Sequence, residues 1–137
     1  MTLASVVIVG AGQAGFQVAA SLRQEGFDGR ITLIGDEPGL PYQRPPLSKA
    51  YLLGKIQATN LLFRPADFYT TQRIELLHDQ ATAIDRLNRR VVLASGAAVS
   101  YDHLVLATGA HNRPLPVPGA ELPQVFGLKT KADADAP

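Results

Sequence analysis

The chain has 137 residues, 46% hydrophobic and 18% charged, which suits one globular domain with a core of its own. Its formal net charge of +1 gives no long-range pull toward nucleic acid or an anionic membrane. With no cysteine, the chain has no disulfide, thiolate metal site, iron–sulfur ligand or thiol nucleophile to offer.

The opening, MTLASVVIVGAG, is apolar but lacks a basic leader, so it reads as a buried strand and not as a signal peptide. No run reaches the roughly 18 apolar residues that cross a bilayer. Cytoplasmic residence without membrane attachment is the expectation.

The β-branched run SVVIVG, 5–10, predicts a strand buried on both faces. AGFQVAASLRQEG, 14–26, sets Phe16, Ala19 and Leu22 on one helical face, and Gly26 and Gly29 supply the stop. RITLIG, 30–35, predicts a second strand. The three elements make a βαβ unit with a parallel, right-handed crossover.

The segment DEPGLPYQRPP, 36–46, is no helix interior, because prolines remove donors and fix φ. A short helix is expected over 47–53 with Ser48 near its start, and another over 64–73 opened by Pro65. IELL (74–77), ATAIDRL (81–87), RVVLAS (90–95) and AVSYD (98–102) read as an antiparallel meander turning at Asn88 and Gly96. HLVLATG, 103–109, predicts another buried strand, followed by the Pro-rich HNRPLPVPGAELP. The expected fold is thus α/β, a Rossmann-like unit with a β-meander insertion.

Gly10-Ala11-Gly12-Gln13-Ala14-Gly15 fits G-x-G-x-x-G between a strand and an amphipathic helix. Gly10 would make the turn, Gly12 would let the backbone approach a pyrophosphate, and Gly15 would let helix and strand pack closely. The phosphates would sit at the helix N-terminus, with Ala14 in the same turn. Asp36 and Glu37 lie about 20 residues beyond the last glycine, where a ribose-binding carboxylate belongs, and spacing leaves open which one serves. These features alone suit NAD or FAD equally.

LPYQRPPLSKAYLLG (40–54) closely resembles a signature of the ferredoxin reductases that serve oxygenases and of the related apoptosis-inducing factors. YDHLVLATGAHNRPLPVPG (101–119) resembles that group's later signature, so the resemblance covers nearly the whole chain. The resemblance implies FAD as cofactor, NADH as hydride donor and an iron–sulfur ferredoxin or rubredoxin as electron acceptor. Disulfide reductases of the same fold carry a redox cysteine pair in this loop. A cysteine-free loop implies that electrons leave from the flavin to an outside protein.

On that resemblance Arg44 would meet the pyrophosphate or flavin edge with its planar fork. Lys49 would stand near the reactive edge of the flavin, tuning its potential without acid–base work. Backbone groups at Ala81 would meet the adenine, and Thr108 and Gly109 would contact the cofactor from a strand end. Lys129 falls where relatives often carry an arginine reaching the cofactor, and a lysine there lacks the bidentate fork. Tyr42 and Tyr51 suit packing near a flavin or ordinary packing.

His78, His103 and His111 share no metal-like spacing, and Ser48 has no triad context. The resemblance further implies that 1–110 is the N-terminal part of an FAD-binding domain and 111–137 a Pro-rich connection toward an NADH-binding domain. A chain of this extent would lack the nicotinamide site and part of the FAD pocket, turn over little by itself, and risk self-association through an exposed apolar face. Other readings are a cysteine-free NADH:quinone reductase or nitrite-reductase flavin module, and a nucleotide-binding fragment without redox chemistry.

Overall fold

A computed structural model describes residues 4–136. The chain divides into two compact units, Met1–Pro41 with Phe63–Gly109, and Tyr42–Leu62 with Ala110–Pro137. The second thus joins the proline loop after the second strand to the Pro-rich segment.

The first unit is built on four parallel strands in the order β3-β2-β1-β7. They are β1 (Ser5–Val9), β2 (Arg30–Gly35), β3 (Ile74–His78) and β7 (His103–Leu106). β1 lies in the middle, with Val7 opposite Thr32 on one side and Leu104 on the other. Its alternating side chains serve two cores, as the period of a strand requires. Val6 and Ile8 join Ile31, Leu33 and Ile74 beneath α1 (Gln13–Gln24) and α2 (Ala66–Thr71), through Phe16, Ala19 and Tyr69. Val7 and Val9 join Ile34 on the opposite face, against Val91 and Leu93.

That opposite face is covered by an antiparallel meander of β4 (Ala81–Asp85), β5 (Arg90–Leu93) and β6 (Ala98–Ser100). The first unit is therefore helices, parallel sheet and meander in three layers. Arg89 at φ 51 and Gly96 at φ 91 make the two hairpin turns, next to Asn88 and at Gly96 as expected.

Several expectations change. IELL is not a meander strand: β3 runs parallel to β2, with Ile74 opposite Ile31, and its inward residues cover the helix-side core. The strand from His103 stops at Leu106, so Thr108 and Gly109 lie beyond its end. Leu106 is 60% exposed, because β7 pairs only with β1 among the described residues.

In the second unit the helix expected over 47–53 is replaced by a 3-10 turn at Pro45–Ser48, with Ser48 at its end. The Pro46 carbonyl accepts N–H groups from both Lys49 and Tyr51, and Lys49 leaves helical geometry at φ −131, ψ −114. A second 3-10 turn spans Ala58–Leu61, and α3 (Lys131–Asp135) closes the chain. Tyr42, Leu47 and Leu61 form this unit's small core.

Candidate dinucleotide-binding site

β1 ends at Val9, and the chain must turn at once to enter α1 at Gln13. Gly10 makes the turn at φ +112, and its N–H donates to the Ile34 carbonyl at 2.8 Å. A Cβ there would fall 2.0 Å from the Ala107 carbonyl oxygen, so the turn packs directly on the segment leaving β7. Gly15 faces back toward this turn, and a Cβ on it would lie 1.8 Å from the Gly10 carbonyl oxygen. Gly35, which the sequence reading did not single out, completes the packing: a Cβ there would come 2.7 Å from that of Ala11.

Gly12 differs from its neighbours. It is the N-cap of α1, and a Cβ on it would meet nothing within 4 Å. No side chain caps this helix, whose first-turn N–H groups have no intrahelical partner by geometry. Open space beside a bare helix N-terminus suits an anion. Ala14 stands exposed in the same first turn.

The loop lies where the sheet order reverses. From β1 the chain steps outward through β2 to β3, and then returns to β7 on the other flank. At such a switch point the loops at the carboxyl ends of neighbouring strands diverge and leave a crevice. Here the glycine loop leaves β1 and 107–109 leaves β7. Thr108 and Gly109 are exposed there, although past the strand and not at its end as the sequence suggested.

Asp36 and Glu37 follow directly on β2, on the loop side of the sheet; Asp36 is exposed and Glu37 half-buried. Ala81 is the first residue of β4, half-buried opposite Leu93 beside a register shift. These residues and the glycines belong to the first unit.

Arg44, Lys49 and Lys129 belong to the second unit. Arg44 Nη1 donates to the Lys129 carbonyl at 2.8 Å and to the Tyr42 hydroxyl at 3.2 Å. Lys49 is exposed, and its Nζ reaches back to the Pro45 carbonyl at 3.3 Å. Lys129 is half-buried, with its N–H donated to Asp133 Oδ2 at 2.9 Å. Asp133 also accepts the Thr130 N–H at 2.8 Å. Those backbone donors, Thr130 first and Lys129 next, hold the Asp133 carboxyl below the usual carboxylate range. Thr130 and Asp133, three residues apart, form a capping box that the sequence made readable.

The histidines keep to the surface: His78, His103 and His111 are exposed, and His78 Nε2 lies 2.9 Å from the Gly39 carbonyl. No cluster of three or more metal-ligating side chains occurs among the described residues. No helix is long and apolar enough to cross a membrane among them.

The model of the pyridine nucleotide-disulphide oxidoreductase family matches residues 4–137. The chain belongs to that family. It is 55% identical over 133 residues to rhodocoxin reductase of Rhodococcus erythropolis, covering 96% of this chain and 31% of that protein. Putidaredoxin reductase of Pseudomonas putida is 47% identical over 135 residues, covering 96% and 32%. Among solved structures, the ferredoxin reductase for the CYP199A2 system from Rhodopseudomonas palustris superposes with a TM-score of 0.91 at 57% identity, covering 95% of this chain and 32% of that one. The chain spans about a third of the length of the relatives it matches. Family membership accounts for the parallel sheet, the separate antiparallel sheet and the glycine turn together. It also sharpens one oddity, since the family is named for disulphides and this chain contains no cysteine.

Proposed function

We propose that this chain is the FAD-pyrophosphate-binding part of an NADH-dependent reductase that passes electrons singly to an iron–sulfur ferredoxin or a rubredoxin. The observation that carries the reading is the glycine loop at the sheet's switch point, tight at Gly10 and Gly15 and open at Gly12. Relatives described as rhodocoxin, putidaredoxin and rubredoxin reductases extend it to the electron acceptor. The absence of cysteine fits electrons leaving without a protein dithiol.

FAD supplies a two-electron acceptor for hydride and a one-electron donor for an iron–sulfur centre. The chain's own residues bind and orient it. Backbone N–H groups at Gly12 to Ala14 hold the pyrophosphate, and Asp36 or Glu37 accepts from the adenine ribose. Ala81 offers backbone to the adenine, and Thr108 and Gly109 line the far side of the crevice. By the resemblance, Arg44 and Lys129 would offer positive charge to a diphosphate, and Lys49 would offer it to the reactive edge of a bound flavin.

The test is FAD uptake by the purified chain, with bound and free flavin separated, for wild type, Asp36→Asn and Glu37→Gln. The reading expects bound flavin in the wild type and weaker binding in one of the two variants. Uptake of NAD in preference to FAD would overturn it.

A further inference from the structure

Tyr42 is 8% exposed, packed with Leu47 and Leu61 in the small core of the second unit. Packing there asks only for an aromatic ring, which phenylalanine would supply. The hydroxyl nevertheless makes polar contacts at the core's edge. It accepts the Lys131 backbone N–H at 2.8 Å and the Arg44 Nη1 proton at 3.2 Å. The Arg44 guanidinium carbon also lies 5.2 Å from the centre of the same ring.

These contacts form part of a strap. Arg44 Nη1 donates to the Lys129 carbonyl at 2.8 Å, and Asp133 Oδ2 accepts the N–H groups of Lys129 at 2.9 Å and Thr130 at 2.8 Å. Residues 129, 130 and 131 are thus each tied through their backbone, to Arg44, Asp133 and Tyr42 in turn. The guanidinium is held from its face by the ring and from its edge by the phenol oxygen and a carbonyl.

We propose that Tyr42 is a positioning residue for Arg44, fixing the rotation of the guanidinium before any anion arrives. The proposal rests on the reading of Arg44 as a diphosphate contact. An arginine free in solution loses much side-chain freedom when it clamps a ligand, and that loss weakens binding. Here the loss occurs on folding, through Tyr42, so the diphosphate meets a preset fork.

The experiment compares wild type with Tyr42→Phe, which keeps the ring and removes only the oxygen. The first readout is the ¹H–¹⁵N heteronuclear NOE of the Arg44 Nε–H group in ligand-free protein, with the thermal melt as a check on folding. The second is FAD affinity in Tyr42→Phe, Arg44→Ala and the double variant. The expectation is a lower NOE in Tyr42→Phe and an affinity reduced about three- to tenfold, with no further loss on the Arg44→Ala background. An unchanged NOE overturns the proposal, and so does a lower NOE with unchanged affinity. A lower NOE in a chain whose wild type takes up no FAD supports the positioning of Arg44 and sinks the cofactor reading instead. Should Tyr42→Phe fail to fold, Asp133→Asn releases the strap from its other side, and the Arg44 NOE is expected to fall there too.

Discussion

A Cβ on Gly15 would lie 1.8 Å from the carbonyl oxygen of Gly10, whereas one on Gly12 would meet nothing within 4 Å. Two glycines of one motif therefore do separable work. Gly15 lets α1 sit close to the turn out of β1. Gly12 leaves open space beside the N-terminus of α1, the ligand side on the proposed reading. Gly15→Ala should destabilise the fold by about 1–3 kcal/mol, since backbone must shift to admit the methyl. Gly12→Ala should cost less, about 0.5–1 kcal/mol for a poorer N-cap, because φ −83 suits alanine and the space is open. It should nonetheless weaken dinucleotide binding by about tenfold or more, roughly 1.4 kcal/mol. Thermal melts and FAD titrations of both variants read the two effects apart.

Arg23 near the end of α1 holds the back of the first unit together. Its guanidinium donates to the carbonyls of Gln72 (2.6 Å), Phe27 (2.8 Å), Gly29 (2.8 Å) and Arg73 (3.0 Å). Desolvation is the main influence lowering its pKa, followed by the neighbouring Arg73 charge. A lysine has no fork to reach four acceptors. Arg23→Lys should cost about 2 kcal/mol, as hydrogen bonds to charged groups are lost. Denaturant unfolding checks this.

Tyr69 is 3% exposed, and its hydroxyl has no hydrogen-bond partner among the described residues. An unsatisfied buried hydroxyl destabilises, so Tyr69→Phe should match or exceed wild-type stability, by up to about 1 kcal/mol. Burial pushes the Tyr69 phenol up to about 12, while the Arg64 charge acts weakly the other way. The folded state therefore resists ionising Tyr69. Its contribution is intact below the ordinary tyrosine value of 10.0 and is lost as pH climbs from there toward about 12. Alkaline unfolding should start later in Tyr69→Phe than in wild type.

At the acid end Asp133 has the opposite sign. Its carboxyl is held below the ordinary 3.8, mainly by the Thr130 and Lys129 N–H groups. Its contribution is present above the unfolded value and is lost as pH falls through the lower folded one. An NMR titration of the Thr130 and Lys129 amides should therefore show a midpoint below 3.8. A midpoint at or above it would mean the strap is not formed in solution.

Local signals reached far in this chain. The glycine loop, the buried β1, the proline-opened α2 and both hairpin turns were readable because each depends on neighbours in sequence. IELL reads as a meander strand because a short apolar run looks alike in a hairpin and in a parallel sheet; its partner Ile31 is 43 positions from Ile74, beyond any local pattern. The 47–53 helix failed because the Pro46 carbonyl takes two donors and Lys49 leaves helical geometry. The capping box of Thr130 and Asp133 is the local mark of α3 in the sequence. The strap through Tyr42 joins residues 85 and 89 positions apart, which only the folded chain brings together.

On the proposed reading, the glycine loop of this chain holds FAD. Equilibrium dialysis of flavin against folded wild type and Gly12→Ala, read by visible absorbance, tests it most directly. Saturable one-to-one uptake by the wild type is expected, with a marked loss in Gly12→Ala while the fold is kept. Equal flavin on both sides of the membrane with folded wild type, or identical uptake by the two proteins, would contradict it.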